Sequence, residues 1–169
     1  KSRPEVRYLA LYLAAGDTWQ KAKMGTDTFN RRMSALTKHW VAHMREIGVD
    51  PSRIVLCIFD EPRFSSAAKI ITAWAEPIRA AAPEFKFYTD PLFGPDSYGN
   101  PDVIRMLERM DIVTPGTDYG YHHYGKAAED FYESVRAKGK IMGFYVCAQD
   151  PSEAESTRYY RLQQWACWK

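Results

Sequence analysis

An α/β fold of about five consecutive β-α units with parallel strands, part of a (β/α)8 TIM-type barrel, is what this sequence predicts, on three observations. Short apolar runs rich in β-branched residues alternate with longer stretches whose apolar residues recur every three or four positions. The strand-like runs start near residues 6, 54, 86, 111 and 140, and the later ones are spaced by roughly 30 residues, the size of a β-α unit. Charged and aromatic residues follow nearly every run: Asp17 and Trp19, Asp60 and Glu61, Asp90, Asp118 to His123, and Asp150. Loops at the carboxyl ends of barrel strands build the active site, so this placement favours a barrel over an open doubly wound sheet. A dinucleotide-binding sheet would also carry a G-x-G-x-x-G turn after its first strand, where Ala14-Ala15-Gly16-Asp17 stands instead.

The first strand is expected over Val6 to Leu13, followed by a loop containing Gly16 and Gly25. Thr26, Asp27 and Thr28 offer N-caps for a helix whose apolar stripe is Phe29, Met33, Leu36, Trp40, Met44 and Ile47. Gly48 stops it and Pro51 prevents its resumption. Ile54 to Phe59 is a continuous apolar run, as a parallel strand covered on both faces should be. Ser65 or Ser66 is expected to cap the next helix, with stripe Ile70, Ile71, Trp74 and Ile78, and Pro77 to kink or interrupt it. Trp40 and Trp74 read as core. Lys86 to Thr89 is the third strand, Asp90 to Asn100 a Pro/Gly-rich loop, and Asn100-Pro101 the start of a short helix. Ile112 to Thr114 is the fourth strand, Ala127 to Lys138 a helix stopped by Gly139, and Lys140 to Val146 the fifth strand. Ser152 and Glu155 have capping-box spacing for a last helix carrying Leu162 and Trp165.

Composition excludes several classes. With 46% apolar and 26% charged residues the chain has the balance of a globular protein. Its formal charge of +2 comes from interleaved basic and acidic residues, which argues against nucleic acid as a partner. No run of apolar residues is long enough to span a membrane. The aromatic content (11 Tyr, 8 Phe and 5 Trp) suits either a core or a pocket that stacks on sugars. Cys57 and Cys147 sit in apolar runs and read as buried free thiols; with Cys167 they form no zinc-ligand spacing, and His122-His123 is a weak metal signal. Neither metal nor cofactor is expected. A whole barrel needs about 250 residues, so residues 1–169 are expected to be one segment, the central and C-terminal part of a longer catalytic domain.

Chemistry concentrates at Asp60-Glu61-Pro62, which ends the most apolar strand. Pro62 disfavours helical geometry at Glu61 and is expected to hold it extended at the rim. Adjacent carboxylates repel, so with Asp60 charged, Glu61 can retain a proton and act as an acid; the pair can equally be a strand-end cap for the next helix. Weaker candidates for substrate contacts are Arg63, Tyr88, Asp90, Asp118, Tyr121, His122 and Tyr145. Each has a plain structural alternative: a turn cap for Asp90, packing for Tyr145, solvent exposure for Arg63 and the loop residues.

The segment Phe29 to Pro62, with His39-Trp40 in its helix and the stretch REIGVDPSRIVLCIFDEP, resembles the catalytic region of glycoside hydrolase family 123, typified by retaining β-N-acetylgalactosaminidases. MDIVTP at 110–115, GKIMGFYVC at 139–147 and RYYRLQQWACWK at 158–169 extend the resemblance over most of the chain, with the Asp-Glu pair as its specific motif. The resemblance implies that Glu61 is the general acid/base and that Asp60 holds the substrate's 2-acetamido N–H. The acetamido oxygen then attacks the anomeric carbon, and an oxazoline forms without an enzyme nucleophile. It further implies a carbohydrate substrate, a secreted or periplasmic location, and a longer protein with the remaining barrel units and a possible β-sandwich domain. The alternatives are a conventional retaining glycosidase with its nucleophile outside this chain, and a carbohydrate-binding pseudoenzyme.

Overall fold

The structure, a computed structural model, describes residues 7–116 and 124–145. The expectations for Val6, the 117–123 loop, Val146, Cys147, Asp150, Cys167 and the last helix lie outside those residues. Five parallel strands form the main sheet: β1 (Leu9–Tyr12), β4 (Ile54–Cys57), β5 (Lys86–Thr89), β6 (Ile112–Val113) and β7 (Ile141–Met142). Their spatial order is β1-β4-β5-β6-β7, the order of the chain, so the described strands contain no reversal of the doubly wound kind. Between them run α1 (Asp27–Glu46), α2 (Ser65–Ala81), the one-turn α3 (Pro95–Tyr98), α4 (Pro101–Arg109) and α5 (Lys126–Ala137).

Crossovers between parallel neighbours share one hand, so an unreversed sequence of strands puts its helices on one face. In keeping with this, α2 packs against both α1 and α4. The strand residues that join the helices in the core are Ile54, Leu56 and Ile58 from the β4 segment, Phe85 and Phe87 from β5, and Val113 from β6. Phe29 of α1 meets Trp74 of α2 edge to face at 5.4 Å, and Trp74 Nε1 donates to the Gly16 carbonyl at 2.8 Å. The alternate residues face the other way. Register pairs Tyr12 with Cys57, Cys57 with Tyr88, Tyr88 with Ile112 and Ile112 with Ile141, making one continuous row on the face opposite the helices.

Local chemistry explains most boundaries. Thr26 Oγ1 accepts from the Phe29 N–H at 3.3 Å, and Gly48, at φ +76°, turns the chain out of α1. Asn100 caps α4 by accepting from the Asp102 N–H at 2.9 Å, with Pro101 in the first turn. Several expectations need correction. The buried line of α1 is Phe29, Met33, Thr37 and Val41, a strict four-residue step that leaves Ile47 exposed at 59%. Neither Ser65 nor Ser66 caps α2; the N-cap position falls on extended Phe64, which makes no side-chain cap bond. Pro77 does not interrupt α2, because its ring is buried and its carbonyl accepts from Ser34 Oγ of α1 at 3.3 Å. The loop after β1 contains a small antiparallel hairpin, β2 (Thr18–Trp19) and β3 (Ala22–Lys23). Gln20 and Lys21 turn it with positive φ, which the sequence does not advertise because neither is Gly or Asn. The observed strands β1, β4, β6 and β7 are also shorter than the runs that announced them, whereas β5 spans the expected residues.

At the amino-terminal end of the sheet Asp111 acts as a latch. Its Oδ2 accepts from Arg79 Nη2 and from the Phe87 N–H, each at 2.8 Å, while Arg79 also donates to the Arg109 carbonyl and lies over the Phe87 ring. Asp111→Ala leaves the Phe87 N–H without this acceptor and is expected to destabilise the protein by about 1–3 kcal/mol. Asp111→Asn, which keeps a carbonyl acceptor, should lose less; urea unfolding midpoints measure both.

Candidate active site

Strand direction delivers the sequence-derived site residues to one place. Asp60 and Glu61 follow β4, Asp90 follows β5, Thr114 follows β6 and Tyr145 follows β7, all at the carboxyl ends. Asp90 and Thr114 each stand two positions beyond the Tyr88–Ile112 pair, so they lie on the helix-free face with it. Thr114 Oγ1 donates to Tyr88 Oη at 2.8 Å across that face.

Glu61 is held at three points. Its N–H donates to Asp90 Oδ1 at 3.1 Å, Tyr145 O–H donates to its Oε1 at 2.8 Å, and Arg63 Nη2 donates to its Oε2 at 3.2 Å. Its backbone is left-handed, at φ +44°, rather than extended as expected. A residue before proline avoids the right-handed helical region, and this one takes the left-handed alternative, where the Asp90 carboxyl receives its N–H. Such a conformation in a non-glycine residue costs about 1–3 kcal/mol and persists only where surrounding contacts enforce it. Leu92 N–H, donating to the Pro62 carbonyl at 3.0 Å, adds a second tie between the same loops.

The two consecutive carboxylates have different hydrogen-bonding neighbours. Asp60 faces Asp90, whereas Glu61 faces Tyr145 and Arg63. Burial of Asp90 raises its pKa to about 6, and the nearby Asp60 carboxyl adds to the rise while the Glu61 N–H opposes it. Asp90 thus holds its proton to a higher pH than an ordinary aspartate. Burial, with the negative field of both aspartates, pushes the Cys57 thiol up to about 12. Burial also raises Tyr88, which stays a neutral phenol.

The ligand atoms of Cys57, Asp60 and Asp90 lie within 4.8 Å of one another, close enough to touch one ion. Without an ion Cys57 is a neutral thiol whose Sγ donates to the Phe59 carbonyl, and a coordinated cation would deprotonate it. The contact between the two aspartates accounts for their closeness without an ion.

Of the sequence candidates, the structure gathers Asp60, Glu61, Arg63, Tyr88, Asp90 and Tyr145; Asp118, Tyr121 and His122 lie outside the described residues. Sequence reasoning missed Thr114 and Gly143. A Cβ on Gly143 would stand 2.7 Å from Thr114 Cγ2, so the glycine is what admits the threonine that bonds Tyr88. The usable signal was positional: Thr114 follows its strand at the level of Asp90.

The Tyr145–Glu61 bond spans β4 to β7, strands that a flat sheet would hold about 14 Å apart. No protein-family model matches the chain, and no curated protein is detectably similar to it.

Two outcomes follow. A carboxyl whose folded-state pKa is raised favours the folded form where it is protonated. The Asp90 contribution should be complete below pH 3.8 and lost as pH rises through about 6. The difference in urea midpoint between wild type and Asp90→Asn should change sign or shrink over that window. Gly143→Ala should push Thr114 off Tyr88 and lower the thermal midpoint by several degrees, as expected for about 1–3 kcal/mol of overpacking.

Proposed function

We propose that this chain is part of a (β/α)8-barrel glycoside hydrolase that cleaves N-acetylhexosamine linkages, β-N-acetylgalactosaminides in the first instance, through an oxazoline intermediate. The observation that carries the reading is the division of labour between two consecutive carboxylates. Asp60 lies against the buried Asp90, whose pKa is raised to about 6, while Glu61 is held by Tyr145 and Arg63. Barrel architecture is supported by unreversed strand order, helices on one face, site residues at the strand carboxyl ends and the bond that joins the β7 and β4 ends through Tyr145 and Glu61. The resemblance of the Phe29–Pro62 segment to family 123 supplies the substrate class.

In this mechanism Glu61 protonates the leaving oxygen and later deprotonates water. Asp60 accepts the acetamido N–H and steadies the positive charge that develops as the acetamido oxygen closes on the anomeric carbon. Tyr145 and Arg63 set the Glu61 carboxyl in place and must yield part of their bonding to the substrate. Tyr88 offers a polar tip on the helix-free face, with Asp118, Tyr121 and His122 as further sugar contacts from the following loop.

The mutants of the full-length protein should differ in leaving-group dependence. Glu61→Gln should cripple hydrolysis of natural glycosides and spare substrates with activated aryl leaving groups. Asp60→Asn should slow both, by on the order of a hundredfold or more, and should weaken binding of a thiazoline mimic of the intermediate. A covalent glycosyl-enzyme trapped on any carboxylate would replace this reading with a conventional two-carboxylate glycosidase; a wild type that binds sugars without cleaving any would make it a binding protein.

A further inference from the structure

We propose that Asp90 is a positioning residue: its buried carboxyl holds Glu61 in the left-handed turn with one oxygen and fixes Asp60 by a direct carboxyl–carboxylate hydrogen bond with the other. This differs from the sugar contact that the sequence suggested for it. It deepens the hydrolase reading, on which only its kinetic consequences rest.

Asp90 is 8% exposed, a burial that a carboxylate reaches only with its oxygens satisfied. One oxygen receives the Glu61 N–H at 3.1 Å, and the Asp60 side chain lies in hydrogen-bonding reach of the carboxyl. Little of it is left to bind a hydroxyl. The titratable groups that face it are Asp60 and Glu61 from the loop after β4, Cys57 from β4 and Tyr88 from β5. The thiol and the phenol are both neutral, since burial raises each; after burial itself, it is Asp60 that opposes ionisation of Asp90. A proton on Asp90 then serves as the donor that aims the Asp60 carboxylate. When Asp90 ionises, that donor is lost and the two aspartates repel. The same residue joins two β-α units, because Leu92, two positions on, donates to the Pro62 carbonyl beside Glu61.

The test combines a titration with kinetics on the full-length protein. In carboxyl-labelled wild type, one aspartate should titrate near the value of about 6. That signal should vanish in Asp90→Asn and move down by about one unit or more in Asp60→Asn. The Glu61 amide proton should exchange at least about tenfold faster in Asp90→Ala, which removes its acceptor, than in Asp90→Asn, which keeps one. With an N-acetylhexosaminide bearing an activated aryl leaving group, Asp90→Asn should stay within about threefold of wild-type kcat in acid, and its alkaline fall should move up by about one unit. Asp90→Ala should lose about thirtyfold or more in kcat with little change in KM.

The proposal is overturned if no aspartate titrates above the ordinary range, or if its titration ignores Asp60→Asn. It is also overturned if Asp90→Asn raises KM about tenfold and leaves the pH profile alone, which would mark a substrate ligand. Should Asp90→Ala fail to fold, the two asparagine variants still decide. Should wild type cleave no glycoside, the hydrolase reading falls, and the titration and amide exchange still decide the role of Asp90.

Discussion

The hydrogen bond from the Glu61 N–H to Asp90 is the contact on which the site depends. It crosses from the end of one β-α unit to the end of the next, and it stabilises a backbone conformation that Glu61 would not choose alone. Everything nearby is arranged around that choice. The turn sends the Glu61 side chain toward Tyr145 and Arg63 and leaves Asp60 facing Asp90. Two carboxylates adjacent in sequence thereby have different partners, which is the condition for giving them different tasks.

The scaffold supplies the geometry for this. Parallel strands in chain order place every strand end on the same side, and their alternation divides helix-facing from helix-free residues. The Arg79–Asp111 latch fixes the opposite end of the sheet, where the polar bonds are structural. The latch at one end of β5 and β6 and the candidate site at the other are separated by the apolar layer of Ile54, Leu56 and Phe87.

Much of this was legible in the sequence because it is periodic. Apolar runs gave the strands, three-and-four spacing gave the helices, and Thr26, Asn100, Gly48 and Gly139 marked ends through side-chain and backbone preferences that are local. The gathering of Asp60, Glu61, Asp90 and Tyr145 was legible too, since each closes a strand. What the sequence withheld is decided by contacts between distant segments. The left-handed turn at Glu61 needs Asp90, 29 residues on. The burial of Pro77 within an unbroken helix needs Ser34 of α1. The meeting of Asp60 with Asp90 follows from side-chain directions that no spacing rule states. Gly143 carried no motif, and its meaning appears only when Thr114 is packed against it.

Strand alternation also sets which changes of length the protein can absorb. From Phe85 to Asp90 the chain alternates between the two faces, with Phe87 and Asp90 on opposite ones. A single residue inserted or deleted there would turn Asp90 into the helix layer and bring an apolar side chain to the mouth of the sheet. The same event among the solvent-facing residues 47–50 that follow α1 would only lengthen or shorten a connection. The chemistry is therefore written in a frame of two along each strand. Natural variation in chain length should pass through the loops and stop at that frame.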